Sequence, residues 1–132
     1  MNEHTTTIRV RFGETDKMGV VYHPNYLIYF EIGRTEMLRK AGLIYSELEE
    51  NGGALVVVEA GVQYRKSVRY DEEIRITTKA TRIGHASMNF DYLVRNQQDA
   101  IVAEGFTKLG CVGENLKPKK LPPEVKKCLS TH

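Results

Sequence analysis

The chain is 132 residues long, 41% hydrophobic and 27% charged, with 19 basic against 17 acidic side chains and a net charge of +2. Such a length supports one hydrophobic core, the composition excludes a disordered chain, and so small a positive excess does not mark a nucleic-acid binder. The longest apolar runs, such as Ala54 to Val58, fall far short of the ~18 residues of a membrane span, and the polar stretch Met1 to Thr7 lacks the apolar core of a secretory signal. One cytoplasmic domain over residues 1–132 is therefore expected.

Thr6 to Phe12 alternates, with Ile8, Val10 and Phe12 on one side and Thr7, Arg9 and Arg11 on the other, which predicts a half-buried strand. Gly13, Asp16 and Gly19 break that period, and Pro24, a residue suited to the first helical position, predicts a helix from there to about Lys40 with Gly42 as its stop. The first half of this helix, Tyr26 to Ile32, is apolar almost all round, so protein is expected on every side of it. Its second half, Arg34 to Lys40, is expected to reach solvent. Gly33 inside it costs about 1 kcal/mol against alanine, which predicts a close approach of neighbouring backbone. Glu31 and Arg34, spaced i and i+3, are expected to pair. Ser46 and Glu49 have the S-x-x-E spacing of a capping box, predicting a short helix that ends at Asn51-Gly52-Gly53.

Beyond Gly53 four strand-like stretches follow, Ala54 to Arg65, Glu73 to Ile83, Ala86 to Arg95 and Ala100 to Val112. Ile74, Ile76, Thr78 and Ala80 in one, and Met88, Phe90, Tyr92 and Val94 in the next, form apolar faces opposite polar ones. Turns are expected at Tyr70-Asp71-Glu72, at Gly84 and at Asn96 to Asp99. The stretch 116–132 holds three of the four prolines and five lysines, and reads as an extended basic tail. The order β-α-β-β-β-β describes an α+β domain in which one antiparallel sheet curls about one long helix.

Cys111 and Cys128 are far from C-x-x-C spacing and are expected to be free thiols. No H-E-x-x-H, EF-hand, Walker A or G-x-S-x-G pattern is present, which removes support for metal, nucleotide and serine-hydrolase chemistry. The chemistry-bearing segment is Phe12 to Tyr26, between the first strand and the helix. It places one carboxylate, Asp16, seven residues before the backbone N–H of His23 at the mouth of a helix. Unpaired amides at a helix start polarise a carbonyl and stabilise an oxyanion, while a nearby carboxylate attacks or deprotonates a water that does. Thioester hydrolysis asks for those two parts, because a thiolate leaves without an obligatory acid. An aspartate in a glycine-containing loop is also a common turn residue, so spacing alone leaves both roles open.

The run Glu14 to Tyr26, E-T-D-K-M-G-V-V-Y-H-P-N-Y, followed by Phe30 to Leu38, F-E-I-G-R-T-E-M-L, closely resembles the signature of the 4-hydroxybenzoyl-CoA thioesterase and YbgC-type family of acyl-CoA thioesterases. Weaker similarity, including Tyr64-Arg65-Lys66 and Val68 to Asp71, extends over nearly the whole chain. The resemblance implies the hotdog fold, an antiparallel sheet wrapped around a long central helix. It maps the catalytic carboxylate onto Asp16 and the carbonyl-polarising amide onto His23. The implied substrate is an acyl-CoA, so coenzyme A belongs to the substrate and no separate cofactor or metal is expected. Tyr22 and Asn25 flank the helix start, where they border the acyl group or orient the loop. Candidates for the CoA phosphates are Arg65, Lys66, Arg69, the corner from Arg82 to His85, and the basic tail. The resemblance also implies a homodimer or homotetramer, with the Asp16 loop of one subunit facing the strand that begins near Ala54 in its partner; the exposed edges of a five-stranded sheet point the same way. Two other readings stand beside this one: a hotdog hydratase acting on enoyl thioesters, and a protein that binds acyl thioesters without turnover.

Overall fold

The computed structural model describes residues 2–43, 45–50 and 53–129. Five strands, β1 (Glu3–Arg9), β2 (Ala54–Tyr64), β3 (Glu73–Ile83), β4 (Ser87–Asn96) and β5 (Ile101–Val112), form one antiparallel sheet in the order β1-β3-β4-β5-β2. The helix α1 (Asn25–Lys40) lies across it, which is the α+β hotdog arrangement that the resemblance implies. The alternation of β3 and β4 sets the core. Ile74, Ile76, Thr78 and Ala80, with Met88, Phe90, Tyr92 and Val94, are all buried. Phe30 of α1 stacks on Tyr92 with centroids 4.3 Å apart and planes 4° from parallel, and burying a ring of this size contributes about 1.5–3 kcal/mol.

β1 starts and ends three residues earlier than its apolar alternation predicts, pairing Glu3 with Lys79 through to Arg9 with Glu73. After Val10 the chain leaves the sheet in a 3-10 turn, Phe12–Glu14, closed by the Arg11 N–H donating to Glu14 Oε1 at 2.8 Å. Phe12 therefore points outward, 75% exposed, with its ring edge-on to Tyr70. A departing backbone no longer alternates between two faces, which is why the pattern misled at that position.

In α1, Pro24 takes the N-cap position rather than the first helical one. The helix ends as Gly42 predicts. Gly42 has a φ of +89°, its N–H donates to the Arg39 carbonyl at 3.0 Å and the Leu43 N–H to the Leu38 carbonyl at 2.8 Å, the paired bonds of a Schellman stop. Tyr26, Tyr29, Phe30, Gly33, Met37 and Leu38 are buried, whereas Leu27 and Ile28 are exposed. Burial on every side of the first half is thus not met within one protomer, because the sheet covers one flank only. Nor is the second half wholly outward, since Met37 and Leu38 continue the inward stripe. At Gly33 the close neighbours are side chains rather than backbone: an added Cβ would overlap Thr78 Oγ1 and come within 2.9 Å of Ile76 Cγ2.

The short helix α2 (Tyr45–Glu50) takes in Ser46 as its second residue, so Ser46 and Glu49 do not form a capping box. Tyr45 holds this helix to β2, its hydroxyl accepting from the Leu55 N–H at 3.0 Å and donating to the Leu55 carbonyl at 3.3 Å. The expected stop at Asn51-Gly52 lies outside the described residues. The turns at Asp71 and Asp99 both carry positive φ, and the Asn96 side chain closes the second by accepting from the Gln98 and Ala100 amides.

The tail corrects its expectation. From Gly113 it passes through a 3-10 turn, Glu114–Leu116, bridges back at Pro118 to Val112, and ends in a third helix, α3 (Pro123–Leu129). Leu121, Val125 and Leu129 are buried. Val125 and Leu129, four apart, lie on the inner face of α3, and Leu121 is buried two residues before it, an apolar set that the lysines and prolines around it conceal. Of the two cysteines, Cys111 is buried and Cys128 half-buried. Among the described residues no helix is long and apolar enough to cross a membrane, and no group of three or more His, Cys, Asp or Glu gathers to hold a metal.

Candidate active site

The segment after β1 folds into a small hairpin because its sequence supplies a turn aspartate and a glycine three residues on. The Asp16 carbonyl accepts from the Gly19 N–H at 2.9 Å and the Asp16 N–H donates to the Val20 carbonyl at 2.8 Å. Gly19 sits at φ +80°, and Arg69 Nη1 lies 3.0 Å from where its Cβ would be, so a side chain there meets both backbone strain and a neighbour. The hairpin is tied to the segment before β3 by the Val21 N–H donating to the Val68 carbonyl at 2.9 Å and by a bridge between Val20 and Arg69.

Within this frame the two oxygens of Asp16 differ. Oδ1 accepts from the Met18 N–H at 2.9 Å and lies 3.4 Å from the Val20 N–H. Oδ2 has no partner among the described residues. The turn role and the chemical role are therefore compatible: one oxygen holds the loop and the other is available.

The Glu14 carbonyl accepts from both the Tyr22 N–H and the Asn25 side-chain amide, each at 2.9 Å, so Asn25 orients the loop against the start of α1. Beneath it the Tyr29 hydroxyl donates to Glu14 Oε1 at 3.0 Å. Burial, first, and then this hydrogen bond to the carboxylate hold the Tyr29 phenol well above its ordinary pKa, so it remains a donor.

His23 precedes the cap of α1 by one residue. The first helical amides are engaged: the Asn25 N–H donates to the Tyr22 carbonyl at 2.9 Å, Tyr26 to the His23 carbonyl at 3.3 Å, and Leu27 to the Pro24 carbonyl at 3.1 Å. Those amides of the first helical turn therefore have acceptors of their own. The His23 N–H lies just outside that turn, and nothing among the described residues accepts from it. On its other side the His23 carbonyl accepts from the Tyr64 hydroxyl at 3.0 Å.

Asp16, His23, Tyr26 and Tyr64 line one cleft of about 370 Å³, with Arg65 and Lys66 at its border. The Tyr64 ring is edge-on to both Tyr26, at 5.4 Å, and His23, at 6.2 Å. Burial, with the charges of Tyr64 and Glu72, pushes the Tyr26 phenol up to about 12. Tyr64 is the residue that reading the sequence missed as a site member. Its place in the Tyr-Arg-Lys run was visible, but a bond spanning 41 residues leaves no local signal.

Tyr22 is exposed and stands edge-on to the His23 ring at 5.0 Å, outside the lining of the cleft. Arg65 is engaged with Glu104 and Gln63. Arg82 and His85 are not brought to Asp16 within the protomer. They lie at the β3–β4 turn, the far end of an eleven-residue strand. There His85 shares a groove of about 560 Å³ with Lys120, Lys126 and Lys127, fastened by the Leu121 N–H donating to the His85 carbonyl at 2.9 Å. Glu31 and Arg34 form no ion pair; Arg34 reaches the Tyr92 hydroxyl instead.

Comparison with known proteins gives a consistent result. Residues 10–129 match the model of the family described as the thioesterase-like superfamily. The chain is 33% identical to the acyl-CoA thioesterase YbgC of Haemophilus influenzae, covering 95% of this chain and 93% of that one. It is 32% identical to the acyl-CoA thioester hydrolase YbgC of Escherichia coli, covering 89% of each. Among solved structures, a DHNA-CoA thioesterase from Staphylococcus aureus superposes with a TM-score of 0.92 at 31% identity, covering 97% of this chain and 89% of that one.

Proposed function

Since the chain belongs to the thioesterase-like superfamily, we propose that it is an acyl-CoA thioester hydrolase whose reaction runs in the cleft between Asp16, His23 and Tyr64. The thioester carbonyl oxygen accepts from the His23 N–H, and the free oxygen of Asp16 acts on the carbonyl carbon, as nucleophile or as general base toward water. In the first case a mixed anhydride forms, coenzyme A leaves as thiolate, and water then releases the acid and restores the carboxylate. In the second, water adds directly as its proton passes to Asp16, the adduct expels coenzyme A as thiolate to leave the free acid, and Asp16 gives up the proton to regain its carboxylate. Either way the tetrahedral intermediate places its negative charge against the amide, an arrangement typically worth 10²- to 10³-fold in rate. The observation that carries this reading is the division of labour at Asp16, with Oδ1 holding the turn and Oδ2 unengaged in the same cleft as an unpaired N–H. No cofactor takes part, and a cytoplasmic location follows from the substrate.

The reading extends to assembly and to the coenzyme. β2 is an edge of the sheet, and Val57 and Val58 on it are exposed. Pairing two such edges about a two-fold axis satisfies both and gives a homodimer, or a tetramer if dimers stack. Antiparallel pairing sets the Tyr64 end of one strand beside the Ala54 end of the other, so the Asp16 loop faces the partner's Ala54 strand. The β3–β4 turn of the second subunit then lies at the same end of the assembly as this cleft, which lets Arg82 and His85 take the CoA phosphates across the interface. Tyr22, exposed beside His23, borders the substrate.

Thiol release from a panel of acyl-CoAs, with product analysis, tests the activity; release of thiol with formation of the free acid is expected. Binding without release, or hydration of an enoyl-CoA without release, would replace it. Light scattering tests the assembly, since a fully active monomer would remove the shared site.

A further inference from the structure

A second cavity, of about 480 Å³, opens where the later part of α1 meets α2 and the sheet. Its size falls within the range of small-molecule sites. Leu38, Leu43, Leu55, Phe90 and Leu109 supply its apolar lining, and two arginines, Arg34 and Arg39, share it with Glu31. Arg34 is half-buried, and its one partner is the Tyr92 hydroxyl at 3.5 Å, the outer limit of a hydrogen bond. That hydroxyl is already bonded to Thr107 at 2.6 Å. Among the described residues no carboxylate pairs with Arg34, although Glu31 stands one turn away at the same rim. The neighbouring Arg39, by contrast, is paired with Glu36. A guanidinium has five donors and no acceptor, so one left in a mostly apolar wall with a single long bond is built to receive an oxygen.

This cavity and the Asp16 cleft lie along the same flank. Tyr26 of α1 packs on Tyr64 at one end of β2, while Leu38 and Leu55, near the other end, line the cavity together. Helix and strand therefore run along the same flank, in opposite directions. Arg34 is nine residues beyond the start of α1, roughly 13 Å along the axis, and helical side chains lean back toward the N-terminus, which shortens the span. An acyl group whose carbonyl rests on the His23 N–H and whose chain follows α1 would extend toward this guanidinium.

We infer that the cavity holds the distal part of the acyl group and that Arg34 selects acyl chains ending in an acceptor oxygen, a terminal carboxylate above all. The inference rests on the thioesterase reading and names the substrate class for it. Apolar walls take the methylene chain, and the planar fork of Arg34 takes the carboxylate in the bidentate geometry that suits it. Glu31 repels an anion that stops short, so the acid must reach the depth of Arg34.

The test is steady-state hydrolysis of adipoyl-CoA and hexanoyl-CoA, equal in carbon number and different in the terminal group, by the wild type, Arg34→Met and Arg34→Lys. The wild type is expected to favour adipoyl-CoA in kcat/KM by about tenfold or more, as a charge-assisted pair warrants. Arg34→Met should lower the adipoyl-to-hexanoyl ratio at least tenfold, and Arg34→Lys should recover part of it by keeping the charge. Equal or better use of hexanoyl-CoA by the wild type overturns the inference while leaving the thioesterase reading intact, and this result does not depend on any variant folding. A folded Arg34→Met that loses the same factor on both substrates also overturns it, because a structural role has no reason to distinguish the chain ends. Failure to hydrolyse either substrate or any other acyl-CoA overturns the thioesterase reading itself.

Discussion

The hairpin that carries Asp16 and the tail that ends in α3 are both irregular chain on the rim of the same sheet, yet they are held in opposite ways. Between Thr15 and Tyr22 most bonds are backbone or turn hydrogen bonds to a residue a few positions away, with three ties to Val68 and Arg69. Between Gly113 and Leu129 the anchors are three buried apolar side chains and a few long-range backbone bonds, among them Lys119 to Cys111 and Leu121 to His85. Local hydrogen bonding fixes a carboxylate to within a fraction of an ångström and leaves one oxygen unengaged, as chemistry requires. Apolar burial fixes the tail's position and supplies stability without that precision. Damage to the first region should therefore appear in kcat, and damage to the second in folding.

The sharpest break is Asp16→Asn. It keeps the side-chain size and, with the amide oxygen turned to the Met18 and Val20 amides, keeps the turn, but it removes the charge at the second oxygen. We expect kcat to fall by about 10³-fold or more with thermal stability near that of the wild type, read by thiol release and calorimetry. Near-normal turnover in the folded variant would end the proposed mechanism.

The tail should answer in the other currency. Leu129 is fully buried, and Leu129→Ala should destabilise by about 2–5 kcal/mol. Denaturant unfolding measures this, while kcat per folded molecule stays within about twofold. A selective loss of kcat at full stability would mean that α3 takes part in catalysis.

These two regions also show what was legible in the sequence. The hairpin was readable because aspartate, glycine and proline act on backbone near themselves, so Asp16, Gly19 and Pro24 announce a turn and a helix start within a residue or two. The alternation in β3 and β4 was readable because both strands bury one whole face. Composition misled in the tail, where five lysines and three prolines outnumbered an apolar set of three. The exposure of Leu27 and Ile28, the partner of Tyr64 and the solitary state of Arg34 depend on which elements become neighbours, and no local pattern encodes that.

Gly19→Ala tests whether the hairpin's precision rests on its one left-handed residue. A φ of +80° with Arg69 Nη1 close by leaves little room for a methyl group, and the strain is worth about 1–3 kcal/mol. We expect kcat to drop about 10- to 50-fold, a larger proportional loss than that in stability, because relief of the strain rotates Asp16. The effect sits between those above, since the carboxylate is still present. An alanine variant with unaltered kinetics would show that the loop tolerates reshaping.

Tyr64→Phe removes the hydroxyl that holds the His23 carbonyl and leaves the ring packed on Tyr26. A single hydrogen bond at a half-exposed site contributes about 0.5–1.5 kcal/mol, so we expect kcat to fall about three- to tenfold while KM changes less. A rise in KM alone would recast Tyr64 as a substrate contact.

His23→Ala should have the smallest effect of the series, although it alters the residue nearest the proposed oxyanion. The group assigned to the carbonyl is the backbone N–H, which alanine retains, and the peptide is gripped from its other side by Tyr64 and by the Tyr26 N–H. The imidazole itself is exposed and makes only edge contacts with the rings of Tyr22 and Tyr64. Its loss should lower kcat by no more than about fivefold and leave the pH profile of kcat without a missing limb between pH 5 and 8, the range in which an imidazole that took part would titrate. If His23→Ala instead matched Asp16→Asn, or erased such a limb, the side chain would have to carry a proton in the reaction. The contrast between a backbone-built and a side-chain-built oxyanion site would then be settled against the backbone.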